Sequence, residues 1–133
     1  MTGILLDTNA LLLLALQPEA IAPATRELFA AQDRYISQVC AIEIAIKLSI
    51  GKLTLPPPFQ TDFTRAFLEM AARLSADILA IDLKHIDRLS RLPLVHRDPF
   101  DRLIIAQSLE NDLTIMTRDR AFADYPGLSL VQI

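Results

Sequence analysis

Ile4-Leu5-Leu6-Asp7-Thr8-Asn9-Ala10-Leu11-Leu12-Leu13-Leu14-Ala15-Leu16 opens with three apolar residues, meets an acid, and runs on into a longer apolar stretch. Three unbroken apolar residues ending at a turn signal read as a buried parallel strand. Asp7, Thr8 and Asn9 are side chains that cap helices, and Ala10 to Leu16 reads as the helix they start. The same grammar repeats downstream. Tyr35 to Ser37 is a brief strand, Ser37 or Gln38 opens a helix over Val39 to Ile50, and Gly51 stops it. Ile78 to Ile81, Leu113 to Thr117 and Leu128 to Gln132 read as strands. Helices are expected over Ala22 to Ala31, Thr61 to Ser75, Lys84 to Arg91 and Asp98 to Glu110, with a helical turn over Arg120 to Tyr125. Leu55-Pro56-Pro57-Pro58 reads as a rigid break, and Leu92 to Arg97 as a loop. Strands alternating with helices predict an α/β fold with a central parallel β-sheet flanked by α-helices.

The chain has 133 residues, the length of one domain, with 52% hydrophobic and 22% charged residues. Its mean hydropathy of +0.33 hints at apolar surface covered by a partner. One cysteine, Cys40, excludes an internal disulfide and a cysteine metal cluster and fits a reducing, cytoplasmic setting. The start Met1-Thr2-Gly3 lacks the basic residues of an export signal, and the apolar run to Leu16 is too short to span a bilayer. A net charge of −3 argues against binding nucleic acid by bulk charge. An RNA substrate would need local arginines or a bound cation.

The acids carry the chemistry. In open α/β sheets, sites form beyond the carboxyl ends of the strands. Asp7 follows the first strand directly, and Asp119 follows the strand ending at Thr117 by two residues. Asp98 and Asp101 occupy the first turn of one helix and Glu43 lies about one turn into another, so these acids are expected at the same edge. Each also has a plainer reading. Asp7 could only cap its helix, and Asp119 could be a turn residue. Glu43 sits among Ala41, Ile42, Ile44, Ala45 and Ile46, where a carboxylate is costly unless paired, although Lys47 one turn on could pair with it. Asp98-Pro99-Phe100-Asp101 is what a well-capped helix looks like, which accounts for Asp98 more fully than for Asp101. Arg97, Arg102, Arg118 and Arg120 flank the acids. Each alone reads as a solvated charge, and together they form a candidate set of phosphate contacts. His85 and His96 read as surface or loop residues. Gathered carboxylates repel unless some protonate or a cation holds them, and a donor set of oxygens alone selects Mg²⁺ or Mn²⁺.

Four stretches then match one family in order. Leu5-Leu6-Asp7-Thr8-Asn9-Ala10-Leu11 resembles the opening motif of PIN-domain nucleases. Glu43-Ile44-Ala45-Ile46-Lys47, with Gly51-Lys52-Leu53 after it, is similar to the second motif of the VapC toxin branch. His96-Arg97-Asp98-Pro99-Phe100-Asp101-Arg102-Leu103-Ile104-Ile105-Ala106-Gln107 resembles the third, and Thr117-Arg118-Asp119-Arg120-Ala121-Phe122 the fourth. The resemblance implies a single PIN-like domain over residues 1–133 and a Mg²⁺-dependent endoribonuclease acting on structured RNA such as transfer or ribosomal RNA. It also implies the toxin role in a type II toxin–antitoxin pair, a small VapB-type antitoxin docking near the acids, and a homodimer. The family's core acids carry over to Asp7, Glu43, Asp101 and Asp119, while Asp98 belongs to the branch with Asp-Pro-Phe-Asp. From the placement of the acids, Asp7 and Asp101 are expected nearest the metal. Many relatives have tryptophan where Ile42 stands. Two rival readings are a phosphatase or phosphoacceptor domain and a binding-only partner. The first lacks a second Asp after Asp7-Thr8, and the intact acid set argues against the second.

Overall fold

A computed structural model describes residues 3–133 of the chain. Met1 and Thr2, part of the start read as lacking an export signal, lie outside the described residues. Five short strands form one sheet in the order β3-β2-β1-β4-β5, and every neighbouring pair runs parallel. The strands are β1 (Ile4–Leu6), β2 (Arg34–Ser37), β3 (Asp77–Leu79), β4 (Thr114–Thr117) and β5 (Leu130–Gln132). Ile4, Leu5 and Leu6 are all fully buried. Successive strand side chains point to opposite faces, so the centre of the sheet is covered on both. The alternating pattern in the sequence predicts this α/β architecture, and the observed sheet has it.

Helices α1 (Thr8–Leu16), α2 (Pro23–Ala30), α3 (Gln38–Ser49), α4 (Pro58–Thr61), α5 (Phe63–Arg73), α6 (Leu83–Arg91) and α7 (Pro99–Asn111) connect and cover the strands. Short 3-10 turns occupy Pro18–Ala20 and Arg120–Asp124. Ser37 opens α3, its hydroxyl accepting from the Val39 N–H at 3.0 Å. Gly51 ends that helix with φ +73°, a left-handed backbone, while the Lys52 N–H returns to the Lys47 carbonyl at 2.9 Å. Among the described residues no helix is long and apolar enough to cross a membrane.

Several expectations need correction. The proline run does not simply break the chain. Pro58 begins α4, because a proline ring suits a first helical turn. Asp62 then interrupts the expected Thr61-to-Ser75 helix and caps α5, accepting from the Arg65 N–H at 3.2 Å. His85 is not a surface residue. It is fully buried on α6, whereas Leu83 and Ile86 beside it are exposed. Its Nδ1 accepts from the Asp82 N–H at 3.0 Å, and its Nε2 lies 2.7 Å from the Asn111 Oδ1 on α7. With both ring nitrogens partnered, an imidazole can be buried between two helices at little cost.

The strand order fixes where a site can form. From β1 the chain winds outward through β2 and β3, then crosses back to place β4 on the other side of β1. The reversal between β1 and β4 leaves a crevice beyond their carboxyl ends. Leu6 pairs with Met116, so Asp7 and Thr117 emerge together into that crevice.

Candidate active site

Asp7 caps α1 and faces the crevice at once. Its backbone is extended (φ −78°, ψ 173°), its Oδ1 accepts from the Ala10 N–H at 2.8 Å, and its own N–H prolongs the ladder to the Met116 carbonyl at 3.3 Å. Its other oxygen accepts a hydrogen bond from the hydroxyl of Thr117, the buried last residue of β4, at 2.5 Å. The same Thr117 hydroxyl accepts from the Asp119 N–H at 2.9 Å. One threonine therefore locks the acid after β1 to the acid after β4.

Glu43 lies on the first turns of α3 with its side chain 10% exposed. Thr8 donates to its Oε1 at 2.6 Å and Lys47 to its Oε2 at 2.7 Å. The Lys47 pairing open from the sequence is present, and it is joined by a buried hydroxyl from the residue next to Asp7. The hydrogen bond that Lys47 donates to Glu43, and then the negative charge of Glu43, raise the Lys47 ammonium pKa. Below these groups the Cys40 thiol is buried and pushed up to about 12, chiefly by desolvation, which leaves it protonated and unreactive.

Asp98 is the N-cap of α7, its Oδ1 accepting from the N–H groups of Phe100 and Asp101 at 2.8 and 3.1 Å. Asp101, one turn into the crevice, keeps 21% of its side chain exposed. His96 Nε2 stands 3.0 Å from the Asp101 Oδ2 and 3.2 Å from the Asp119 Oδ2. One atom each of His96, Asp101 and Asp119 lie within 4.8 Å of one another, a group able to hold a metal ion.

The acids share one field. Burial raises the Asp7 pKa first, with hydrogen bonds from Thr117 and Ala10 opposing and the charges of Glu43 and Asp119 adding to the rise. Burial, then the neighbouring Asp98, pushes Asp101 up to about 7, with His96 opposing and Asp7 and Glu43 adding. Asp7 and Glu43 thus act on Asp101 although they lie outside the tight group around His96.

The four arginines divide. Arg97, Arg118 and Arg120 are exposed, and among the described residues none makes a side-chain hydrogen bond or ion pair. Arg102 is turned into the preceding loop. Its Nη1 donates to the Pro93 carbonyl at 2.9 Å and to the Tyr125 hydroxyl at 3.2 Å. Beyond Asp119 and Arg118 an open groove of about 580 Å³ follows α1, lined by Leu12, Leu13, Leu16 and Leu53.

Sequence reasoning missed His96, Thr117 and Thr8 as parts of this arrangement. Thr117 had a signal, since it ends a strand two residues before an acid. His96 had a weaker one, its place just ahead of a helix whose first turn carries two acids.

Comparison with known proteins bears on the family and the fold. The family model described as the PIN domain matches residues 4–128. A chain of the DNA-bound VapBC complex from Salmonella typhimurium superposes with a TM-score of 0.70 at 18% identity, covering 99% of this chain and 98% of that one. A chain of Rickettsia felis VapBC2, bound to a DNA fragment from its promoter, gives 0.71 at 17% identity over 98% of both. A chain of FitAcB from Neisseria gonorrhoeae gives 0.65 at 20% identity, covering 97% of this chain and 96% of that one. No curated protein sequence matches the chain significantly.

Proposed function

The chain belongs to the PIN-domain family, whose members are generally nucleases, and on that premise we propose that it is a metal-dependent endoribonuclease, the toxin of a type II toxin–antitoxin pair. The observation that carries the proposal is the convergence of Asp7, Glu43, Asp101 and Asp119 on one crevice, where burial first, then Asp98, with Asp7 and Glu43 adding, pushes Asp101 up to about 7. Carboxylates that burial and mutual repulsion push toward protonation are carboxylates that a divalent cation would stabilise. The donor set therefore fits a hard cation, and Mg²⁺ is the proposed metal, with Mn²⁺ compatible.

Asp7 and Asp101 would hold the cation most directly, and Glu43 and Asp119 would complete the pocket. The metal would supply an acidified water and a counter-charge for a phosphate oxygen. The chain's own groups do the positioning. Thr117 fixes Asp7 relative to Asp119, Thr8 and Lys47 fix Glu43, and Asp98 caps the helix that presents Asp101. Arg97, Arg118 and Arg120 are available to meet phosphates of structured RNA, transfer or ribosomal RNA being the proposed class. Arg102 instead steadies the loop that carries His96.

The apolar groove along α1, opening beside Asp119, supports a small VapB-type antitoxin as partner. VapBC and FitAB complexes are what the similar structures contain. A homodimer and a cytoplasmic setting belong to the same proposal, with residues 1–133 acting as one domain. The test is cleavage of structured RNA by purified, antitoxin-free protein with Mg²⁺, with EDTA, and with Asp7→Ala. Cleavage that needs both metal and Asp7 supports the proposal. Wild-type cleavage in EDTA or by Asp7→Ala overturns it, and turnover of a small phosphate ester in place of RNA would favour the phosphatase reading.

A further inference from the structure

The carboxylates just described are an all-oxygen donor set, and His96 changes its chemistry. Its Nε2 is directed at two acids from separate elements, 3.0 Å from Asp101 on α7 and 3.2 Å from Asp119 after β4. Ligand atoms around a single ion, at bonds of about 2 Å, stand roughly 3 to 4 Å apart. The two His96 separations fall in that range, and all three atoms lie within 4.8 Å of one another.

The imidazole is also held in place, unlike a histidine on a free loop. Its ring packs edge-on against buried Phe122, centroids 6.0 Å apart at 72°. Its backbone N–H donates to the buried Tyr125 hydroxyl at 2.9 Å. Arg102 donates to that same hydroxyl and to the Pro93 carbonyl, tying down the loop that leads into His96. Such support is what a metal-ligating histidine needs to keep its orientation.

We propose that His96, beside Asp101 and Asp119, supplies a nitrogen ligand to the divalent metal of this acid pocket, making the centre a mixed nitrogen–oxygen site that favours a first-row transition ion such as Mn²⁺ over Mg²⁺. Imidazole suits transition ions, whereas Mg²⁺ selects oxygen donors, so the residue sets which cation the pocket prefers. The inference rests on the reading that these acids bind a divalent cation, and its test separates the two.

Metal-free protein is titrated with Mn²⁺ alone, and the bound ion is examined by pulsed electron paramagnetic resonance for coupling to ¹⁴N. The chain has only two histidines, and His85 is committed to Asp82 and Asn111. A directly coordinated imidazole signal in the wild type, absent in His96→Gln, is the expected result. His96→Gln should also weaken Mn²⁺ at least about tenfold while changing Mg²⁺ affinity less, measured by competition. Mn²⁺ bound with no nitrogen coupling, and lost in Asp101→Asn, would overturn the nitrogen ligand and leave the metal-binding reading standing. Absence of any Mn²⁺ binding would overturn both. The wild-type spectrum decides the question even if the variant folds poorly.

Discussion

Asp101→Asn should make the metal-free protein more stable at neutral pH while abolishing its site. The Asp101 carboxyl is pushed up from the usual carboxylate range to about 7, by burial first and then by Asp98. An acid whose folded value lies above its unfolded one is held more tightly with its proton on. Its contribution therefore favours the fold at low pH and is lost as the pH rises from about 4 to about 7, beyond which the penalty is constant. A rise of that size sets a ceiling of about 4 kcal/mol. The side chain keeps 21% exposure, and the variant gives up the contact with His96. The expected net gain is then about 1–2 kcal/mol, or about 3–8 °C in Tm for a chain of this size. The assay is thermal or urea denaturation of both proteins in a chelating buffer from about pH 4 to pH 8. The gap should vanish near pH 4 and open toward pH 7, and added Mn²⁺ or Mg²⁺ should stabilise the wild type alone. A variant less stable than wild type at pH 8, or a gap that ignores pH, would refute the electrostatic account of this cluster.

Thr117→Val removes the hydroxyl that joins Asp7 to Asp119, so urea denaturation should show a loss of about 1–3 kcal/mol. A loss under about 0.5 kcal/mol would mean that the two acids are held by other contacts. His85→Leu strands the Asn111 carbonyl oxygen and the Asp82 N–H inside the α6–α7 contact, and should cost about 2–4 kcal/mol with metal affinity unchanged, as calorimetry can check. Lys47→Met removes the cation paired with Glu43, so divalent affinity should rise several-fold in a calorimetric titration, and a fall would place Lys47 outside the field of the site. Arg118→Ala should weaken RNA binding and lower its salt dependence by about one unit of slope, since Arg118 is exposed beside Asp119. An unchanged salt slope would remove Arg118 from the phosphate contacts.

What the sequence revealed follows from range. Ile4 to Leu6 followed by Asp7, and the strand ending at Thr117 followed by Asp119, carry strand, turn and acid within a few residues, so the parallel sheet and its edge were both legible. The capping role of Asp98 is likewise local, fixed by Pro99 and the N–H groups of Phe100 and Asp101. His85 was misread because one of its two partners, Asn111, lies 26 residues away, and no nearby pattern announces it. Arg102 was grouped with the exposed arginines on sequence proximity, yet its partners Pro93 and Tyr125 are set by loop packing. His96 reads as loop from its neighbours, and only the meeting of α7 with the segment after β4 turns it toward two acids.

The Thr117–Asp7 hydrogen bond joins residues 110 positions apart. The latch that aligns the first and last acids therefore closes only when β4 has docked beside β1, with nearly all the intervening chain already made. A chain that ends short of Thr117 lacks both this hydroxyl and Asp119, and so cannot close the latch. A cut that releases the segment from β4 onward would therefore open this latch and remove Asp119 while leaving Asp7, Glu43 and Asp101 in the chain.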